Sequence, residues 1–389
     1  MNKLKHNSRA SATRIGCCVF LGLLGCASPN PDAPVHLQIA DDLLVAFQPD
    51  TLLKETAGWQ RLDNGRLLIR RVSGPEFQQQ PRVTAEVTLR SAGDPWDKSG
   101  LLCAWPDDPG TRAAIEQGLA PSAPAIELLR FITPFGVGHF SDGPRADEYR
   151  PVYIPRWADS VQWTADLTSL LPVLEGPFFI GLFIDTWSGD GHVVDAALNW
   201  TPAAAELHTK QPKVVVPVMN TTKLFADQTQ FTAFADGPVS TEFTLTEPLA
   251  NATLHLTTTG HGGHSSGDEF TPCEHIVLLN EAEIDRFTPW RDDCASFRRF
   301  NPSAGVWTEK TLWRGDSIEE RIASSDYSRS GWCPGSDVPA RLVDLGQLLP
   351  GTHKLTIEIP TAQPYTDTAQ NFFNVAAHIV GNRQVGKMP

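Results

Sequence analysis

Three carboxylates in this 389-residue chain stand beside aromatic side chains or glycine-rich loops. Asp97 lies in Gly93-Asp-Pro-Trp-Asp-Lys98, where Pro95 and Trp96 stiffen a turn and leave the carboxylate on a loop beside an indole face. Asp185 closes the apolar run Phe178-Phe-Ile-Gly-Leu-Phe-Ile184 and is followed by Trp187. Glu269 comes just after the loop Gly260-His-Gly-Gly-His-Ser-Ser-Gly267. Singly, each acid reads equally well as a turn former or a solvated charge. Together they suggest sugar chemistry. One carboxylate can activate water while a second carboxyl of different pKa supplies or stabilises a proton. A sugar ring has an apolar face that stacks on indole, so Trp96 and Trp187 are assigned to a cleft. Most of the other Trp residues are expected in cores.

A metal reading competes at His261, His264 and His275, with Glu269 and Glu274 between them, because imidazole and carboxylate suit zinc or copper. The GHGGH run lacks a fixed ligand spacing such as HExxH. The expectation is therefore a reaction without metal or other cofactor.

The elements that must position these residues read as all-β. Short alternating or apolar runs (Val83–Leu89, Phe178–Ile184, Ala252–Thr258, His275–Leu279, Leu355–Ile359) lie between scattered Pro and Gly, the pattern of sandwiches or barrels. Thr111 to Leu119 is the best short helix. The length suits two domains. A boundary near Lys210-Gln-Pro-Lys213 gives a domain over 37–210 and another over 211–389.

The N-terminus reads differently. Lys3, Lys5, Arg9 and Arg14 form a basic, acid-free leader before an apolar stretch from Ile15 to Gly25, too short to span a bilayer as a helix and patterned as a signal peptide. Leu23-Leu-Gly-Cys26 resembles a bacterial lipobox. This implies a signal over 1–25, lipid on Cys26, and a Pro-rich tether over 26–36. The expected product is exported, held in the bacterial envelope at the outer membrane or cell surface, and touches the membrane through its lipid alone. Without residues 1–25, which carry four of the 32 basic groups, 28 basic face 45 acidic groups, a net charge of −17. That argues against a nucleic-acid partner. Cys103, Cys273, Cys294 and Cys333 remain, enough for two disulfides in three possible pairings.

Further segments resemble the peptide-N-glycosidase F family. In the C-terminal half they are Val214-Val-Val-Pro-Val218, Thr258-Thr-Gly-His-Gly262, Asp268-Glu-Phe270, Cys273-Glu-His275 and Ser330-Gly-Trp-Cys-Pro-Gly335. In the N-terminal half they are Pro95-Trp-Asp97, Arg130-Phe-Ile-Thr-Pro-Phe135 with Val137-Gly138, and Asp185-Thr-Trp187. The resemblance runs over roughly residues 40–385, and its GWCPG and RFITP motifs are the most specific.

The resemblance implies two jelly-roll-like antiparallel sandwiches side by side, with the site in the groove between them. The implied reaction is hydrolysis of the β-aspartylglucosaminyl amide of an N-linked glycopeptide; a monomer is the working expectation, on which the sequence says little. Asp97 falls at the primary catalytic carboxylate and Glu269 at the second. Asp185 stands where the family has Glu, and Lys98 where it has Arg, which loses bidentate contacts. Trp96, Lys98, Trp187, His261 and Arg329 are implied substrate contacts, with His261 in place of a family Trp. The resemblance pairs Cys294 with Cys333, and Cys103 with Cys273 is an arithmetic possibility. The insertion-like stretch Trp105 to Pro124 follows the catalytic segment, where it could cap or narrow the groove, and its role is left open. Two other readings stay open: a glycan-binding lipoprotein without turnover, favoured by Asp185 and Lys98, and a copper-dependent oxygenase-like protein, resting on the histidines.

Overall fold

The structure is a computed structural model that describes residues 33–48, 58–143, 146–147, 150–202, 213–225, 228, 230–262 and 266–384. The leader, Cys26, most of the tether, the Lys210 boundary and His264 lie outside the described residues. Among the described residues no helix is long and apolar enough to cross a membrane.

The first half contains β1 (Val35–Val45), β2 (Gln60–Leu62), β3 (Leu67–Gly74), β4 (Pro81–Ser91), β5 (Ser99–Pro106), α1 (Pro109–Glu116), β6 (Ile126–Ile132), β7 (Val161–Asp166), α2 (Leu171–Leu174), β8 (Gly176–Ile184) and β9 (His192–Pro202). The second contains β10 (Lys213–Asn220), β11 (Val239–Leu245), β12 (Leu249–His261), β13 (His275–Leu279), β14 (Ala282–Phe287), β15 (Val306–Trp313), β16 (Asp316–Ala323), β17 (Asp337–Val338), β18 (Arg341–Leu348), β19 (Gly351–Glu358) and β20 (Phe372–Arg383). β1 begins inside the expected tether, because Val35 and His36 already pair with Trp200 and Asn199.

Each half is an antiparallel sandwich. In the first, the sheet β1-β9-β4-β7 faces the sheet β17-β6-β5-β8-β3-β2. β4 alternates as a one-sided strand must, with Val83, Ala85, Val87 and Leu89 turned into the core. β5 and β8 are buried on both faces, which explains their continuous apolar runs. Leu102, Ala104, Ile180 and Leu182 enter the sandwich core. Leu101, Cys103, Trp105, Phe179 and Phe183 pack outward against Ile115 of α1 and against Leu224 and Phe225. In the second half, β10-β20-β12-β18 faces β11-β19-β13-β14 around Leu254, Val277, Ile357 and Phe373. β15 and β16 form a separate hairpin.

The two specific motifs meet each other. β17, which follows GWCPG, pairs with β6 of the first sandwich, setting Asp337 opposite Phe131. The Ile132 amide donates to the Ser336 carbonyl at 2.9 Å, and the Gly335 amide donates to the Ile132 carbonyl at 3.0 Å. Trp163 Nε1 donates to the Gly335 carbonyl at 2.9 Å, and Cys294 is disulfide-bonded to Cys333. Gly331 sits at φ 85°, and a side chain there would bring a Cβ to 2.7 Å from the Thr258 carbonyl oxygen. Buried Arg130 adds to the clamp, bonding Glu127 on its own strand and the Asn374 carbonyl across the interface.

The structure bears on two points that the sequence leaves open. Cys103 and Cys273 are both free and buried: Cys103 lies in the outward cluster on β5, while Cys273 lies in the core of the other sandwich. The stretch after Trp105 starts at the far end of β5 from Asp97. It leaves β5 at Pro106, whereas Asp97 precedes the other end of that strand at Ser99. Eight residues of strand separate them by roughly 25 Å.

Candidate active site

Asp97 and Asp185 are neighbours because β5 and β8 pair with Gly100 opposite Ile184. The Asp185 amide donates to the Ser99 carbonyl at 2.9 Å, fixing both loops at one sheet end. Thr133 of RFITP holds the Asp97 loop from the other side. Its hydroxyl accepts from the Lys98 amide at 2.8 Å and donates to the Trp96 carbonyl at 3.2 Å, while its own amide donates to the Lys98 carbonyl. Glu269 comes from the second sandwich. Its carbonyl accepts from the Ser330 amide at 2.8 Å, which places it next to Arg329.

Arg329 joins the two halves of the site. Its Nε donates to Glu269 Oε1 at 2.9 Å, and its Nη2 lies 3.8 Å from Asp97 Oδ2. Its remaining bonds go to the Tyr327 carbonyl (2.9 Å) and the Ser324 carbonyl (2.8 Å), and its guanidinium lies over Phe270 and Trp332. Asp97 and Glu269 keep 18% and 17% of their side-chain surface, recessed yet open to a small molecule. Burial pushes Glu269 up to about 7, with Arg329 opposing and Asp97 reinforcing the shift. Burial also raises Asp97, opposed by Arg329 and Lys98. Two acids that share one cation and repel each other ionise in sequence, which provides one proton donor and one acceptor.

Asp185 is held by Arg66, whose Nη1 donates to Oδ1 at 2.8 Å. Arg66 also pairs with Asp63 at 2.7 Å and lies 4.3 Å from the Trp187 ring centroid. Burial raises Asp185, against Arg66 and then Lys98. Trp96 and Trp187 are 59% and 63% exposed at the same end of the sheet. Sequence reasoning missed Arg66. A lone charge heading the apolar strand Leu67-Leu-Ile69 was its signal, but the register that sets it opposite Ile184 is not legible locally.

Two expected substrate contacts stand differently. Arg329 is 1% exposed and donates three bonds within the protein, so it arranges the two acids from behind. His261 is buried, stacked on Trp332 and Phe372, with Nε2 on the Thr259 hydroxyl at 2.8 Å. Burial lowers it to about 3, so it is a neutral part of the wall. His275 is buried separately, between the Thr258 hydroxyl and the Cys273 carbonyl.

Two family models match the chain: peptide-N-glycosidase F, N terminal, over residues 36–200, and its C-terminal counterpart over 230–380. Among solved structures, PNGF-II in two crystal forms is 31% and 30% identical, each at TM-score 0.77. The matches cover 90% and 92% of this chain but 66% of each PNGF-II chain, so this chain spans just under two thirds of their length. PNGase F, a glycosylasparaginase from Flavobacterium meningosepticum, is 16% identical at TM-score 0.57, with 91% and 97% covered, a likeness of fold alone. A comparison with curated proteins finds no match.

Proposed function

The chain belongs to the peptide-N-glycosidase F family, and from that premise we propose that it hydrolyses the β-aspartylglucosaminyl amide bond of N-linked glycopeptides. The glycan leaves as its glycosylamine, and the glycosylated Asn becomes Asp. The observation that carries the reading is the convergence of Asp97 and Glu269, one from each sandwich, on the guanidinium of Arg329.

Asp97, ionised, takes a proton from water as the water oxygen adds to the amide carbonyl carbon. Glu269, titrating near 7, is the proton donor to the amide nitrogen as the C–N bond breaks. Lys98, whose charge acts on both Asp97 and Asp185, is the cation placed to meet the developing oxyanion. Asp185, fixed by Arg66, orders the water or the proximal sugar; Trp96 and Trp187 offer faces for stacking. No step calls for a metal. The leader supports export and anchoring at Cys26, which gel mobility after signal peptidase II inhibition tests; unchanged mobility overturns it.

The test of activity is incubation with a denatured N-glycopeptide, with the products read by mass spectrometry. Free glycan together with Asp at the former glycosylation site is expected from the wild type, with a loss of at least about 100-fold in Asp97→Asn. A glycopeptide that binds but stays intact makes the protein a glycan-binding module instead.

A further inference from the structure

Beneath the Trp96–Asp97 loop lies an acid that the proposed chemistry does not use. Asp94 is fully buried, yet each of its carboxylate oxygens has a task. Oδ1 accepts from the Trp96 amide at 3.0 Å, and Oδ2 accepts from the Thr186 hydroxyl at 2.6 Å. The same Thr186 oxygen accepts from the Ser188 amide at 3.1 Å. Thr186 is itself fully buried and lies between Asp185 and Trp187. One carboxylate and one hydroxyl therefore connect the loop that carries Trp96 and Asp97 to the loop that carries Asp185 and Trp187. The connection is anchored below: the Asp94 amide donates to the Gly191 carbonyl at 3.4 Å, and its carbonyl accepts from the Ser91 hydroxyl at 2.6 Å.

The charge on Asp94 is also accounted for. His192 at the start of β9 is completely buried and sets Nε2 3.5 Å from Asp94 Oδ2. Among the described residues neither ring nitrogen of His192 has a hydrogen-bond partner, and Nε2 is the one that lies beside the acid. Burial alone would raise Asp94. His192, Thr186 and the Trp96 amide together bring it below the ordinary carboxylate range, so it is an anion and a strong acceptor.

We propose that Asp94 and Thr186 are positioning residues that set Asp97 and Asp185 relative to each other across the mouth of the site. Neither need touch substrate. Their effect is on the geometry of groups that do, where an error of about 1 Å can cost roughly 100-fold in rate. The inference rests on the amidase reading for its consequence, but the tie itself is a property of the two loops.

The test compares Thr186→Val, which keeps the shape and loses the hydroxyl, with Thr186→Ser, which keeps the hydroxyl. In glycopeptide hydrolysis, Thr186→Val should lose roughly 10- to 100-fold in kcat with KM within about threefold, while Thr186→Ser returns to near wild type. Amide hydrogen exchange at Trp96 and Ser188 should quicken in Thr186→Val and not in Thr186→Ser. Wild-type kcat in Thr186→Val, or equal losses in both variants that follow a fall in Tm, overturns the proposal. If the wild type itself does not hydrolyse the glycopeptide, the amidase reading has failed instead. The exchange rates then decide the tie, and unchanged exchange in Thr186→Val overturns it.

Discussion

Replacing Arg329 by Met should cost stability in a pH-dependent way. Arg329 is almost completely buried and bonds to Glu269, the Tyr327 carbonyl and the Ser324 carbonyl. Met keeps an unbranched stem between Phe270 and Trp332 but removes the cation that faces two carboxyls. Glu269 already titrates at about 7 instead of its usual 4.5. A carboxyl whose pKa is raised on folding gives stability that is complete below the unfolded pKa and lost as pH climbs through the folded one. In the wild type that loss amounts to about 3 kcal/mol and runs from 4.5 to about 7. Arg329 holds the folded value down, so in Arg329→Met the loss continues above it. Below about pH 4.5, where Glu269 is protonated, the variant should lose about 1–3 kcal/mol through its orphaned partners. Near pH 8, where the variant still holds the proton on Glu269 and the wild type has released it, the loss should be greater by about 1 kcal/mol, at about 1.4 kcal/mol per pH unit above 7. Urea unfolding followed by Trp fluorescence at both pH values measures this. Adding Glu269→Gln to Arg329→Met should abolish the alkaline excess. Equal losses at both pH values, or an excess that survives Glu269→Gln, refute the role given to Arg329.

The same geometry makes three further predictions. The pH profile of kcat/KM should fall on the alkaline side near 7 as Glu269 ionises, and on the acid side as Asp97 protonates above the usual carboxylate range; Glu269→Gln should erase the alkaline limb. Thr133→Val should cost about 1–3 kcal/mol in thermal unfolding, because it strands the Lys98 amide and the Trp96 carbonyl, and it should lower kcat more than it raises KM. Cys294→Ser should cost about 4 kcal/mol by the chain-entropy model for a sequence separation of 39, read as a drop in Tm that reductant reproduces in the wild type.

Much of the fold was legible because its signals are local. Alternation marked β4, and a doubly apolar run marked β8, buried on both faces as such runs are. RFITP and GWCPG were legible as motifs, but the sequence did not say that they bind each other, since that contact joins residues about two hundred positions apart. The acids Asp97, Asp185 and Glu269 stood out by their aromatic or glycine-rich company. Arg66, Asp94 and Thr186, which hold them, did not, because a buried ion pair or hydrogen bond between distant strands leaves no spacing to read. His261 is implied as a substrate contact by its place at a family Trp position, yet the strand sets it between two rings. Nor does closeness in sequence place the stretch after Trp105, which one full strand of length carries away from Asp97.

The central claim is that Asp97, set opposite Glu269 on Arg329, drives water onto the glycosylated amide. Mass spectrometry of an N-glycopeptide incubated in heavy-oxygen water tests it most directly. The account predicts that wild-type protein leaves an Asp carrying one heavy oxygen, and that folded Asp97→Asn leaves the glycosylated Asn intact. Full conversion by Asp97→Asn, or glycan release without labelled Asp, would contradict it.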